Sequence, residues 1–204
     1  MEEILPCNHV FLRGVPLGEP VFSHQSRDIR FFSFPLEIER LSGTADRLNV
    51  ILRESQLPDL RPSRAGLVEI DGELRSFNNR SGEGHRLVIT VFARSLRPGT
   101  VPEWSNLVEL TGTLCKSPNH RTTPLGREIC DLMLAVNRPY GRSDYLPCIA
   151  WGSTARAARA WDVGQRLELQ GRIQSREYIK LSPVGDSSRQ IAYEVSAARI
   201  TPLP

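Results

Sequence analysis

The sequence predicts an all-β chain built as two tandem Greek-key barrels of five strands, each with one short helix between its third and fourth strands. Three observations predict this: an internal duplication, short runs of alternating apolar and polar residues, and room in each copy for a helix at one place only. The duplication is direct. Asn8, Val10, Leu12, Gly14 and Pro20 return as Asn106, Val108, Leu110, Gly112 and Pro118. Leu36, Arg40, Asp46, Leu48 and Ile51 return at the same spacing as Leu134, Arg138, Asp144, Leu146 and Ile149. After one inserted residue, Gly72 and Ser76 return as Gly171 and Ser175. A register this continuous means two copies of a domain of about 100 residues, too long a period for a solenoid repeat.

The second copy is the easier to read. Residues 106–116 (NLVELTGTLCK) alternate and then reach Gly112. In residues 127–137, Cys130, Leu132, Leu134 and Val136 share one face. In residues 143–151, Leu146, Cys148 and Ala150 share one face and Tyr145, Ile149 and Trp151 the other. Residues 153–161 (STARAARAW) form the convincing helix, with Ser153 as N-cap and Gly164 soon after its end. Residues 165–174 alternate again with Leu167, Leu169 and Ile173 inward, and residues 190–200 make a last strand. The first copy follows the same order, with strands near 8–15, 29–40, 46–53, 67–76 and 86–96. Pro58 and Pro62 leave its helical segment short or irregular. Phe32 and Phe34 read as core. Pro98, Gly99 and Pro102 mark residues 98–105 as a linker between domains at 1–97 and 106–204. Strands in this order around one helix predict the OB-fold, a barrel that commonly binds oligonucleotides.

Composition narrows the function. The start, MEEILPCNHV, lacks the basic-then-apolar pattern of a signal peptide, and no apolar run reaches the ~18 residues of a membrane span. A cytoplasmic, nucleoid-associated protein with no membrane contact is expected. Cys7, Cys115, Cys130 and Cys148 show no paired spacing and read as buried thiols, so no metal or other cofactor is expected. There is no P-loop, H-E-x-x-H or G-x-S-x-G, and His9, His24, His85 and His120 are scattered, so no enzyme and no catalytic residue is expected. The net charge of +3 is uneven. Residues 1–104 carry 13 Arg against 14 Asp and Glu, whereas residues 105–204 carry 13 Lys and Arg against 9.

The basic copy is also the aromatic one. Alternation sets Arg166, Glu168, Gln170, Arg172, Gln174, Arg176, Tyr178 and Lys180 on one face of a strand, and Tyr145, Ile149 and Trp151 on the outer face of another. Tyr140 and Arg142 lie in the loop RPYGRSD at the rim. Rings beside guanidinium groups suit single-stranded nucleic acid, because unpaired bases stack on rings while cations track phosphates. The predicted interface is therefore Tyr140, Arg142, Tyr145, Trp151, Arg172, Arg176, Tyr178 and Lys180. The same outward rings would also suit a subunit interface.

NLVELTGTL, CDLMLAVNRPYGRSDYLPCIAWG and VGQRLELQGRIQSREY resemble the bacterial single-stranded DNA-binding protein family, across roughly residues 106–200. The resemblance implies base stacking at Tyr140, Tyr145, Trp151 and Tyr178 and a basic contact at Arg176. It implies sequence-independent binding of single-stranded DNA in replication, recombination or repair. Family members with two domains form dimers, so the resemblance also implies a homodimer of four barrels. Pro147 departs from the family, which often has a basic residue there. The first copy has Ser42, Arg47, Arg53 and Asn79 at the four stacking positions, so it resembles the family in fold and not in binding face; Arg47 and Arg53 remain as phosphate contacts without stacking, and assembly is its other role. The sequence ends in ARITPLP and not in the acidic tail through which many members recruit replication proteins, so recruitment by that route is not expected and a phage, plasmid or mobile-element setting fits better. Two other functions stay open: an accessory, primosome-type interaction module that uses the aromatic face as an interface, and RNA binding, which stacking does not distinguish from DNA binding.

Overall fold

A computed structural model of the chain describes residues 7–64, 66–79, 87–139, 141–181 and 187–204, without the side chains of 180–181 and 187–189. The first copy contains β1 (Asn8–Pro16), β2 (Val21–Ser26), β3 (Ile29–Glu39), β4 (Ala45–Arg53), a 3-10 helix (Glu54–Asp59), β5 (Val68–Asn78) and β6 (Leu87–Pro98). The second contains β7 (Ser105–Leu114), β8 (Asn119–Thr122), β9 (Glu128–Asn137), β10 (Ser143–Trp151), α1 (Gly152–Ala158), β11 (Arg166–Leu181) and β12 (Ser187–Pro202). By compactness the chain divides into Asn8–Arg75 with Thr90–Val108, and Met1–Cys7 with Ser76–Ile89 and Glu109–Pro204.

The expected barrel is present in both copies. In the first, strand neighbours run β2-β3-β4-β6-β5-β1, and β1 pairs back onto β3 to close the ring. In the second they run β7-β11-β12-β10-β9-β8, with β7 pairing back onto β9. Both rings contain one parallel pair, β4 with β6 and β10 with β12. The repeated glycines explain how the rings close. Gly14 is the last β1 residue paired to β5, and Val15 is already paired to Glu37 of β3. A Cβ on Gly14 would lie 2.4 Å from the Glu37 carbonyl oxygen, so only glycine lets β1 pass from one neighbour to the other. Gly112 repeats this on β7, where a Cβ would lie 2.9 Å from the Ala135 oxygen.

Inward alternation fills each ring. Leu12, Phe34, Leu36, Leu52, Ile70 and Leu74 are fully buried in the first copy, and Leu110, Leu114, Leu134, Leu146, Leu167 and Leu169 in the second. The repeated Arg and Asp are a buried ion pair. Arg40 Nε donates to Asp46 Oδ2 at 2.7 Å, and Arg138 Nε donates to Asp144 Oδ2 at 2.5 Å; both aspartates are wholly buried. Asp144 also accepts the Ser76 amide at 2.6 Å. This satisfies the carboxylate that burial would otherwise penalise.

Three details differ from expectation. Each copy has a sixth strand, β2 or β8, hairpinned onto its neighbour. Neither alternates in burial: β2 is exposed throughout and β8 spans four polar residues, so neither leaves a period-2 signature. Helix α1 starts at Gly152 with Trp151, not Ser153, in the capping position and no side-chain cap bond, and it ends at Ala158, before Trp161. The helical segment of the first copy is short and irregular as expected, a 3-10 helix with Pro58 inside it. Phe34 is core, but Phe32 is only half-buried. Its ring sits where the β2–β3 hairpin leaves the barrel, 5.9 Å from the Phe22 ring and under the Arg30 guanidinium. Phe31 is the better-buried ring, on the outer face.

Candidate nucleic-acid interface

The outer face of the second copy is laid out by β8, β9, β10, β12 and β11 in that order. Tyr145 and Trp151 stand on β10 and are 49% and 36% exposed, as alternation requires for residues opposite Leu146, Cys148 and Ala150. The Trp151 ring is not free to turn: its indole Nε1 donates to the Ser196 hydroxyl on β12 at 3.0 Å. Ile149, expected outward, is buried instead. Its register partners are Asp131 and Ser196, and Ser196 is the residue that accepts the indole hydrogen bond. Ile129 is also buried, in register with Arg121 on one side and Trp151 on the other. The Tyr145 amide donates to the Ser76 hydroxyl at 2.7 Å, which anchors the start of β10.

Strand β11 supplies the basic edge. Arg172 and Arg176 are exposed and share a face with Tyr178, whose ring lies 5.7 Å from the Arg176 guanidinium carbon. Gln174, expected on that face, is buried and donates to Glu194 Oε1 at 2.9 Å. Glu194 also faces Arg176 Nε at 4.0 Å, so Arg176 is only loosely held by an acid. Arg142 is exposed, and its carbonyl accepts the Arg138 amide at 2.7 Å. Tyr140 and the side chain of Lys180 lie outside the described residues.

One cation of this face was missed. Arg121 on β8 chelates Asp131 with Nε at 2.7 Å and Nη2 at 3.0 Å, and that contact raises its pKa above the usual arginine value. The turn signal Pro124-Leu125-Gly126 could have revealed the hairpin that brings it there. Among the described residues no group of three His, Cys, Asp or Glu is placed to hold a metal ion. Burial raises the pKa of Cys115, Cys130 and Cys148, so these thiols stay protonated. Among the described residues, no helix is long and apolar enough to cross a membrane.

Residues 105–203 match the model of the single-strand binding protein family. Single-stranded DNA-binding protein B of Bacillus subtilis is 35% identical over 80 residues, covering 36% of this chain and 71% of that protein. The chain belongs to the single-strand binding protein family. Single-stranded DNA-binding protein 2 of Listeria innocua is 36% identical over 80 residues, and the chain spans only 50% of its length. The wild-type single-stranded DNA-binding protein of Thermus aquaticus matches in fold over 98% of this chain and 94% of its own, with a TM-score of 0.76 at 24% identity. A deletion mutant of the same protein matches at a TM-score of 0.74 and 22% identity, with 98% and 95% covered. The fold likeness therefore spans both copies, whereas the family match covers the second.

Proposed function

We propose that the chain binds single-stranded DNA without sequence preference, stacking bases on Trp151, Tyr145, Tyr178 and Tyr140 and meeting phosphates with Arg142, Arg172, Arg176 and Lys180. The observation that carries this reading is Trp151: an aromatic ring on a sheet face, 36% exposed, and locked by a hydrogen bond to Ser196. A pre-oriented ring loses little freedom when a base stacks on it. Membership of the family and the names of the relatives support the same substrate. The role follows as protection or delivery of single strands in replication, recombination or repair, with binding and not catalysis as the activity. The two copies, joined through residues 98–105, would assemble as a homodimer of four barrels.

Tryptophan fluorescence during titration with oligo-dT tests the reading, with Trp151→Phe as the control that separates Trp151 from Trp104 and Trp161. Quenching that depends on Trp151 and weakens with salt is expected, because phosphate contacts release counterions. Tight binding with no contribution from Trp151, Tyr145 or Tyr178 would refute the stacking assignment. A protein-contact reading draws on Ile179 and Ile191, which are exposed on β11 and β12. Light scattering of Tyr145→Ala separates the two: lost assembly with retained DNA binding would favour the interface. Competition between matched DNA and RNA oligonucleotides decides the sugar.

A further inference from the structure

The two copies can be laid over one another position by position, and the cations of the second face are lost in the first. Arg142 falls on Thr44, Arg172 on Glu73 and Arg176 on Phe77. The repeated Arg40 and Asp46 set the first of these matches, and the repeated Gly72 and Ser76 set the other two. A hydroxyl, a carboxylate and a ring stand where three guanidinium groups stood. Phe77 is 53% exposed, so a phosphate passing there would meet apolar surface. Glu73 is buried and pairs with Arg75 and Arg94; Arg94 Nε donates to its Oε1 at 2.6 Å. These two guanidinium groups serve a carboxylate of their own barrel, at the place where the second copy exposes Arg172.

The arginines that replace rings are engaged as well. Tyr145 lies opposite Ala135, but Arg47, in its place, lies opposite Glu37, and Arg47 Nε donates to Glu37 Oε2 at 2.9 Å. Arg53, in the place of Trp151, is half-buried with its guanidinium 5.2 Å over Phe92, and Arg75 lies over the same ring at 5.8 Å. Phe31, beside Phe92, is 9% exposed and stacks on the His24 ring at 4.7 Å. Covered rings alone would not decide the matter, because Arg176 also lies beside Tyr178. The cations decide it. Arg176 approaches its acid, Glu194, no closer than 4.0 Å, whereas Arg47, Arg75 and Arg94 each meet a carboxylate directly. We propose that the first barrel has left the DNA path: the chain holds a single strand with its second barrel alone, and two barrels of protein cover the nucleotides of one. The inference rests on the proposed function and limits where it acts. A face whose charges are already paired offers a polyanion little counterion release. Taking Arg47 from Glu37 would trade one ion pair for another and leave a carboxylate facing the strand.

The test uses the full chain. Anisotropy of labelled oligo-dT across a salt series compares Arg47→Gln and Arg53→Gln with Arg172→Gln, each checked for folding by thermal melting. Arg172→Gln should flatten the slope of log K against log salt by about 0.7, the loss of one phosphate contact. Arg47→Gln and Arg53→Gln should leave both the slope and the nucleotides covered per chain on poly-dT unchanged. A second measurement needs no variant: equimolar oligo-dT carrying 5-iododeoxyuridine is photo-cross-linked to the unsubstituted chain, and adducts should fall only in peptides from residues 105–204. A slope flattened by Arg47→Gln or Arg53→Gln, or adducts within residues 8–98, would overturn this inference and leave the proposed function standing. Absence of oligo-dT binding by the unsubstituted chain would overturn both.

Discussion

Consider Glu69→Gln. Glu69 stands on β5 with its carboxylate only 1% exposed. Burial alone would raise its pKa, but donors overrule burial: the Thr100 hydroxyl at 2.6 Å, the Thr100 amide at 2.9 Å, Arg97 Nε at 2.6 Å and Arg13 Nε at 2.9 Å. The pKa falls from an ordinary 4.5 to about 2. At about 1.4 kcal/mol per factor of ten, that drop is about 3 kcal/mol of stabilisation. Because the folded value lies below the unfolded one, the native state binds fewer protons. The contribution is complete above about pH 4.5 and is lost as pH falls through about 2. Urea unfolding of both proteins at pH 7, 5 and 3 measures it. Glu69→Gln should be less stable by about 3 kcal/mol at pH 7, and the gap should narrow by about 2 kcal/mol between pH 5 and pH 3. A gap independent of pH would refute the reasoning, since glutamine keeps an acceptor but does not titrate. The contact matters for architecture, because Thr100 lies in the predicted linker and Arg13 also donates to the Glu103 carbonyl at 3.1 Å.

Other outcomes are expected with equal definiteness. Trp151→Ala should weaken oligo-dT binding by about 5- to 150-fold, the equivalent of about 1–3 kcal/mol for one stacked base, and Ser196→Ala should weaken it less, by freeing the ring; anisotropy reads both. Gly171→Ala should cost about 1–3 kcal/mol in urea unfolding, because the new Cβ would lie 2.3 Å from the Ser196 carbonyl oxygen, and it should disturb binding through β12, whose Ser196 hydroxyl holds the Trp151 ring. Asp144→Asn should cost about 3 kcal/mol or more by leaving Arg138 without its buried partner, as denaturant midpoints would show. Cys148, buried and with its pKa pushed up, should resist thiol reagents at pH 8 until the protein is unfolded.

Much of this was legible in the sequence. Duplication, alternation and the single helical slot in each copy specify two closed barrels, because a period-2 pattern leaves a strand only one face to bury. The same alternation placed Tyr145 and Trp151 outside. It failed at Ile149 and Gln174, which are buried on the outer face by neighbours on adjacent strands, a cover that no single strand records. It also missed β2 and β8, whose side chains have no buried face to mark them. The first copy has Ser42, Arg47, Arg53 and Asn79 where the second has its four rings, and the sequence did not show that Phe31 and Phe92 meet on that face from other strands. Which residues share a strand face is a local property, set by chain geometry and written in the order of residues. Which residues meet across strands depends on register and on the crossing of β4 onto β6, and only the folded sheet decides that.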